Sequence, residues 1–148
     1  MRNMVVAGGQ LGPISRDETK ASAVNRMIAL MHQAASRGAQ LIVFPELALT
    51  TFFPRWWVEN KTDFDHMFER EMPNEDVLPL FEASKKLNIA FHLGYAELTP
   101  DGHRYNTAIM VNNIGKIKGT NRKIHLPGHS DNQEWRPFQH LEKYYFEK

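Results

Sequence analysis

Four apolar residues in a row, Leu41-Ile42-Val43-Phe44, closed by Pro45, limit the folds open to this chain more than any other feature. A strand that alternates apolar and polar residues covers one face of a sheet, whereas an unbroken apolar run reads as a strand buried on both faces. Such a strand calls for a sheet covered by helices, and the flanking segments supply them. Val24, Met27, Ile28, Met31, Ala34 and Ala35 repeat at helical spacing, with Gly38 placed as the C-cap. Ser15 and Glu18 have the spacing of a capping box ahead of that helix. Residues 4–7 form another short apolar run, ended by Gly8-Gly9, and read as a second buried strand. Asn74 is positioned to cap a further helix with apolar positions Val77, Leu80, Phe81 and Leu87. Residues 89–95 read as a third strand. The turn signal Pro100-Asp101-Gly102-His103 joins it to residues 105–111 as a hairpin-like pair, and Asn112-Asn113-Ile114-Gly115 turns the chain again into residues 116–119.

The order β-α-β-α-β-β predicts an α/β layered fold. Between the second strand and the second long helix the chain is irregular and aromatic. Phe52, Phe53, Trp56 and Trp57 surround Pro54 there and fit a pocket wall, an oligomer interface or plain core. A short helix is expected around Phe64, Met67 and Phe68. From Thr120 onward the chain reads mostly as loop. Residues 138–148 carry apolar and aromatic side chains with no closing element to bury them, which points to a chain cut short.

Composition narrows the function classes. A chain of 148 residues suits one domain, and 42% apolar with 24% charged residues is globular. The formal net charge is +1 and no basic block occurs, so nucleic acid and anionic membrane are not expected partners. No apolar run is long enough to span a bilayer, and the amino-terminal apolar stretch is too short for a secretory signal. The expected compartment is the cytoplasm. Cysteine is absent, which removes disulfides, thiolate metal sites and a cysteine nucleophile from these residues.

Three segments could carry chemistry. Glu46 directly follows the apolar strand, so it falls at the carboxyl edge of a sheet, where α/β folds place their sites. A partly desolvated carboxylate there suits a general base, although a loop glutamate beside a base reads the same way. Lys123, in Arg122-Lys123-Ile124-His125-Leu126-Pro127-Gly128-His129, would present an ammonium to a developing oxyanion, or belong to a solvated basic loop. His125 and His129 stand four apart, but Pro127 and Gly128 lie between them, and no HExxH pattern occurs, so no metal site is expected. Arg136-Pro137-Phe138-Gln139-His140-Leu141-Glu142-Lys143 offers a second carboxylate and a further histidine, or ordinary surface ion pairs. Elbow, Walker and dinucleotide-binding patterns are absent.

Taken in order, Pro45-Glu46, the segment Tyr105-Asn106-Thr107-Ala108 and Arg122-Lys123-Ile124-His125-Leu126 resemble the catalytic blocks of nitrilase-superfamily carbon–nitrogen hydrolases. The stretches FPELALTTFFPRWW, LGYAEL, RKIHLPGH and RPFQHLEKYYFE are similar to the N-carbamoyl-D-amino acid amidohydrolases within it. The resemblance implies an α-β-β-α sandwich, of which residues 1–148 would be the first half, a single partial domain. It implies hydrolysis of a non-peptide C–N bond in a small molecule, with no cofactor. By motif match Glu46 would be the general base, Lys123 the electrostatic stabiliser and Glu142 an additional glutamate at the site. His125 and His140 would line the substrate pocket. The family's nucleophilic cysteine, and the basic residues after it that hold a substrate carboxylate, follow this region on a later strand. The 148 residues are therefore expected to be inactive alone, with one sheet face uncovered, and to form a homo-oligomer or associate with a full-length relative. Other amidase or ureidopropionase-like activities, and a non-catalytic fragment, are the alternatives.

Overall fold

A computed structural model describes residues 3–148. The element order is β1 (Val6–Gly8), α1 (Lys20–Ser36), β2 (Leu41–Val43), 3₁₀ turns at Phe53–Arg55 and Lys61–Met67, α2 (Leu78–Leu87), β3 (Ala90–Leu98), β4 (Arg104–Val111), β5 (Ile117–Arg122) and α3 (Glu142–Tyr145). The five strands form one sheet in sequence order. β1, β2 and β3 run parallel, and β3–β4–β5 is an antiparallel meander. The α/β class read from the sequence is the class observed.

Both long helices pack on one face of this sheet. Val24, Met27, Met31, Leu80 and Phe81 meet Ile42, Phe91, Leu93, Ile109 and Val111 in a single buried cluster. α1 ends as Gly38 predicts. Gly38 adopts φ +81, its N–H donates to the Ala35 carbonyl, and the Ala39 N–H donates to that of Ala34. Its start differs from the capping-box reading. Thr19 is the N-cap, accepting from the Ser22 N–H at 3.2 Å, while Glu18 turns to Arg26 and the Ser22 hydroxyl. Asn74 caps the turn leading into α2, its Oδ1 accepting from the Val77 N–H at 3.1 Å.

The other sheet face is bare in these residues, so the burial on both faces read from the apolar runs is met here on the helix-covered face only. Val6 is 53% exposed and Val43 38% exposed, so β1 and β2 are covered on one face only. The unbroken apolar runs look two-sided because small and β-branched residues serve the bare face as well. Met110, on that same face beside His92, is also exposed.

A second cluster gathers at one end of the sheet. Phe53 is fully buried and touches Phe64, Tyr145 and Phe146 at ring separations of 5.7, 5.2 and 5.8 Å. Phe52, Trp56 and Trp57 lean on its rim, so the aromatic segment is mainly core. The carboxyl-terminal residues are therefore not left open, as the sequence suggested: Leu141, Tyr145 and Phe146 are buried here. The Tyr145 hydroxyl donates to the Trp56 carbonyl at 2.7 Å, and burial pushes its phenol well above the ordinary range. The region after Thr120 is also less loop-like than expected, because β5 continues to Arg122 and α3 follows. β5 is exposed along its whole length, so it carries no hydrophobic period from which a strand could be read.

Among the described residues no helix is long and apolar enough to cross a membrane, and no cluster of three potential metal ligands occurs.

Candidate active site

Strand alternation delivers the site to the face that the helices leave bare. Successive side chains on a strand point to opposite faces. Arg122 turns to one side, where its guanidinium pairs with Glu97 at 2.7 Å, holding the carboxyl of Glu97 below the usual carboxylate range. Lys123 follows and turns to the other side, its backbone N–H held by the Asn106 carbonyl at 2.8 Å. Asn106 pairs across the hairpin with Ala96, on the same face.

Glu46 reaches this face because the chain after β2 folds over β3. The Phe44 N–H donates to the His92 carbonyl at 3.0 Å and the Ala48 N–H to that of Gly94 at 2.9 Å. Gly94 is the contact point. A Cβ there would lie 3.0 Å from Glu46 Cα and 3.2 Å from the Pro45 carbonyl oxygen, so only glycine lets the loop lie flat on the strand.

Glu142 comes from far along the chain, as the first residue of α3. The Gln139 and Leu141 N–H groups donate to the Arg55 and Pro54 carbonyls at 3.0 and 2.8 Å. Across from them the His129 N–H donates to the His140 carbonyl at 2.9 Å.

These routes converge on one ammonium. Lys123 Nζ lies 2.5 Å from Glu46 Oε1 and 2.7 Å from Glu142 Oε2. Asn106 Nδ2 donates to the same two oxygens, at 2.7 and 3.3 Å. The Glu142 side chain is 2% exposed, whereas Glu46 and Lys123 are 42% and 33% exposed. Burial works against the Lys123 ammonium, but its hydrogen bonds to Glu142 and Glu46 outweigh that and hold its pKa above the ordinary value. The result is a positive charge fixed between a buried and an accessible carboxylate. Such a group can stabilise a developing oxyanion while the accessible carboxylate takes a proton.

Glu46, Lys123 and Glu142 are thus brought together. His125 and His140 are exposed and make no hydrogen bond to the three, and the ring of His140 lies 6.1 Å from that of Phe52. Asn106, which completes the network, is not among the residues that the sequence marks as site residues. Its signal was present in the Tyr105-Asn106-Thr107-Ala108 segment, but nothing in a hairpin strand tells which side chain faces a loop 60 residues earlier.

α3, and with it Glu142, is fastened to the β3–β4 hairpin by a titratable clip. His103 Nδ1 lies 2.7 Å from Glu147 Oε2, and Glu147 exchanges backbone and side-chain bonds with Arg104. The hydrogen bond to Glu147 raises the His103 pKa, and the same bond lowers that of Glu147. A raised histidine contributes below its ordinary value of 6.5 and loses its contribution as the pH rises through the folded value. A lowered carboxylate contributes above 4.5 and loses its contribution as the pH falls. The clip is therefore expected to be intact between these two values and to weaken on either side. Hydrogen exchange of the Phe146 and Glu147 amides across this range checks it, and protection that does not vary with pH would contradict it.

A lysine held between two carboxylates on one face of a layered α/β sheet is a paired-charge arrangement of the kind that acid–base chemistry uses. The carbon-nitrogen hydrolase family matches residues 5–148, and the chain belongs to that family. A citrullinase from Francisella tularensis is 30% identical over 148 residues, covering 99% of this chain and 46% of that protein. A glutamine-dependent NAD(+) synthetase from Acinetobacter baylyi is 28% identical over 147 residues, covering 95% of this chain and 25% of that one. A carbon-nitrogen hydrolase from Helicobacter pylori superimposes with a TM-score of 0.74 at 21% identity, covering 97% of this chain and 44% of that chain. The chain thus spans between a quarter and a half of the length of these relatives.

Proposed function

We propose that these residues are the base-and-stabiliser half of a site that hydrolyses the ureido C–N bond of a small molecule, an N-carbamoyl-D-amino acid. The observation that carries the reading is the Lys123 ammonium bridging Glu46 at 2.5 Å and Glu142 at 2.7 Å. Glu46, the accessible carboxylate, takes the proton of the attacking thiol. An ordinary thiol is mostly protonated at neutral pH, so it needs such a base. Lys123 then faces the oxyanion of the tetrahedral intermediate, a role worth about 3 kcal/mol for a typical donor. Glu142 and Asn106 hold both groups in place. Glu46 passes the thiol proton to the departing nitrogen, and ammonia leaves. Glu46 then takes a proton from the water that cleaves the acyl-thiol intermediate and returns it to the thiol, and the carbamate decays to carbon dioxide and the free D-amino acid. The likeness to a citrullinase supports a ureido substrate, because citrulline carries that group. The pairing of D-amino acid with carbamoyl group rests on the resemblance in residues 44–57 and 122–129.

The 148 residues contain no cysteine, so the thiol must come from elsewhere. The exposed Val6, Val43 and Met110 beside the site favour its arrival on a second layer laid over this face, in a full-length relative or a further segment. Purified chain is expected to release no ammonia from N-carbamoyl-D-alanine, while the ligand shifts the Lys123 Nζ and Asn106 Nδ2 resonances. Ammonia release by the chain alone would overturn the assignment of the nucleophile.

A further inference from the structure

One cavity adjoins the Lys123 network and shares Glu46 with it. It measures about 200 Å³, and Leu11, Pro13, Glu46, Leu47, Phe52 and Arg55 are among its walls. Only two charged residues line it, Glu46 and Arg55. They form no ion pair with each other, and Glu46 is engaged by Lys123. Among the described residues no carboxylate forms an ion pair with Arg55 and no oxygen accepts from its guanidinium.

The side chain is nevertheless oriented. Its guanidinium carbon lies 4.2 Å from the ring centre of Phe138 and 5.5 Å from that of Trp56. Its backbone is fixed in the 3₁₀ turn Phe53–Arg55, where its carbonyl accepts from the Gln139 N–H at 3.0 Å. Stacking holds the plane of a guanidinium while leaving its N–H edge free, and that edge matches a carboxylate with two parallel hydrogen bonds. Arg136 is a useful contrast. It stacks on Trp135 at 4.5 Å but does not border the cavity of Glu46.

We propose that Arg55 is a specificity-determining residue that receives a carboxylate of the substrate in the cavity beside Glu46. The proposal rests on reading Glu46 and Lys123 as the hydrolytic site. It adds to that reading an anchor within residues 1–148, separate from the basic residues that the resemblance places after the cysteine. A substrate held by Arg55 at one end and presented to Glu46 at the other is an amino-acid-like acid, and its neutral amide is disfavoured.

The test is an NMR titration of the 148-residue chain, which binds without turnover. The probes are N-carbamoylglycine, its neutral amide N-carbamoylglycinamide, and acetate. The acid is expected to bind about tenfold more tightly than the amide and, like acetate, to shift the Arg55 Nε–H resonance. Arg55→Gln should bring the acid down to the level of the amide and leave amide binding unchanged. Arg55→Lys should fall between, and Arg136→Gln should change neither. Equal binding of acid and amide by the wild type, or a tenfold preference that survives Arg55→Gln, overturns the proposal. The neutral amide reads the hydrolytic site separately, through Lys123 Nζ and Asn106 Nδ2. If it leaves those resonances unmoved while acetate still shifts the Arg55 Nε–H in the wild type, the hydrolytic reading fails and the anion site stands.

Discussion

Lys123→Met is expected to destabilise the chain by about 3 kcal/mol, the lower end of the cost of leaving a buried charge without its partner. Glu142 is almost wholly buried, and without the ammonium it keeps only the Asn106 amide at 3.3 Å. The lower end applies because Lys123 itself is 33% exposed, so water can partly replace it. The pH sign is fixed by the raised pKa of Lys123. Its contribution is whole below 10.5 and is lost only as the pH climbs through the folded value, so the deficit is fully visible at neutral pH. Adding Glu142→Gln to Lys123→Met should recover most of the loss, because a neutral amide does not need the ammonium. Denaturant midpoints of the single and double variants decide it. A Lys123→Met midpoint equal to the wild type would show that the network does not hold the fold.

Gly128→Ala is expected to cost about 2–4 kcal/mol. Gly128 has φ +78, which an alanine adopts only under strain. The larger problem is space, since a Cβ would lie 1.9 Å from the His140 carbonyl oxygen and 2.7 Å from its carbon. Both are backbone atoms and neither can swing away. The two segments must separate, and the His129 to His140 hydrogen bond goes with them. The loop that carries buried Leu126 then loses its hold on the segment leading to Glu142. Gly102→Ala is the control. It shares a positive φ of +91 but meets nothing within 4 Å, so it should cost only backbone strain, about 1 kcal/mol. Equal midpoints for the two alanine variants would remove the packing argument. Protease cleavage within residues 126–140 should rise in Gly128→Ala alone.

The α/β class was legible in the alternation of strands and helices, and the order of the motifs pointed to the residues that meet on the bare face of the sheet. Glu46 was legible because a carboxylate after an apolar strand has few places to be in an α/β sheet. Lys123 was legible from its motif, and the strand-like alternation that continues one residue past the end of β5 explains why it, rather than Arg122, meets Glu46. Asn106 was hidden, because its contribution depends on a register between β3 and β4 that no local pattern states. The burial of Leu141, Tyr145 and Phe146 was missed for the same kind of reason. Their partners, Phe53, Phe64 and Phe68, lie about half the chain away, and a four-residue helix such as α3 has no period to detect. The apolar runs of β1 and β2 report what can be covered, and in these residues α1 and α2 cover one face of them. The capping-box reading failed through competition: Arg26 offers Glu18 a charged partner, and Thr19 is left to cap.

We propose Glu46 as the base of a carbon–nitrogen hydrolase whose thiol lies outside these residues. Joining residues 1–148 to the cysteine-bearing half of a family member and measuring ammonia release from N-carbamoyl-D-alanine tests it most directly. Release is expected from the joined protein and none from residues 1–148 alone, with a drop of about 10³-fold in the joined protein on Glu46→Gln while its folded structure is retained. A joined protein that releases ammonia at an unchanged rate after Glu46→Gln would contradict it.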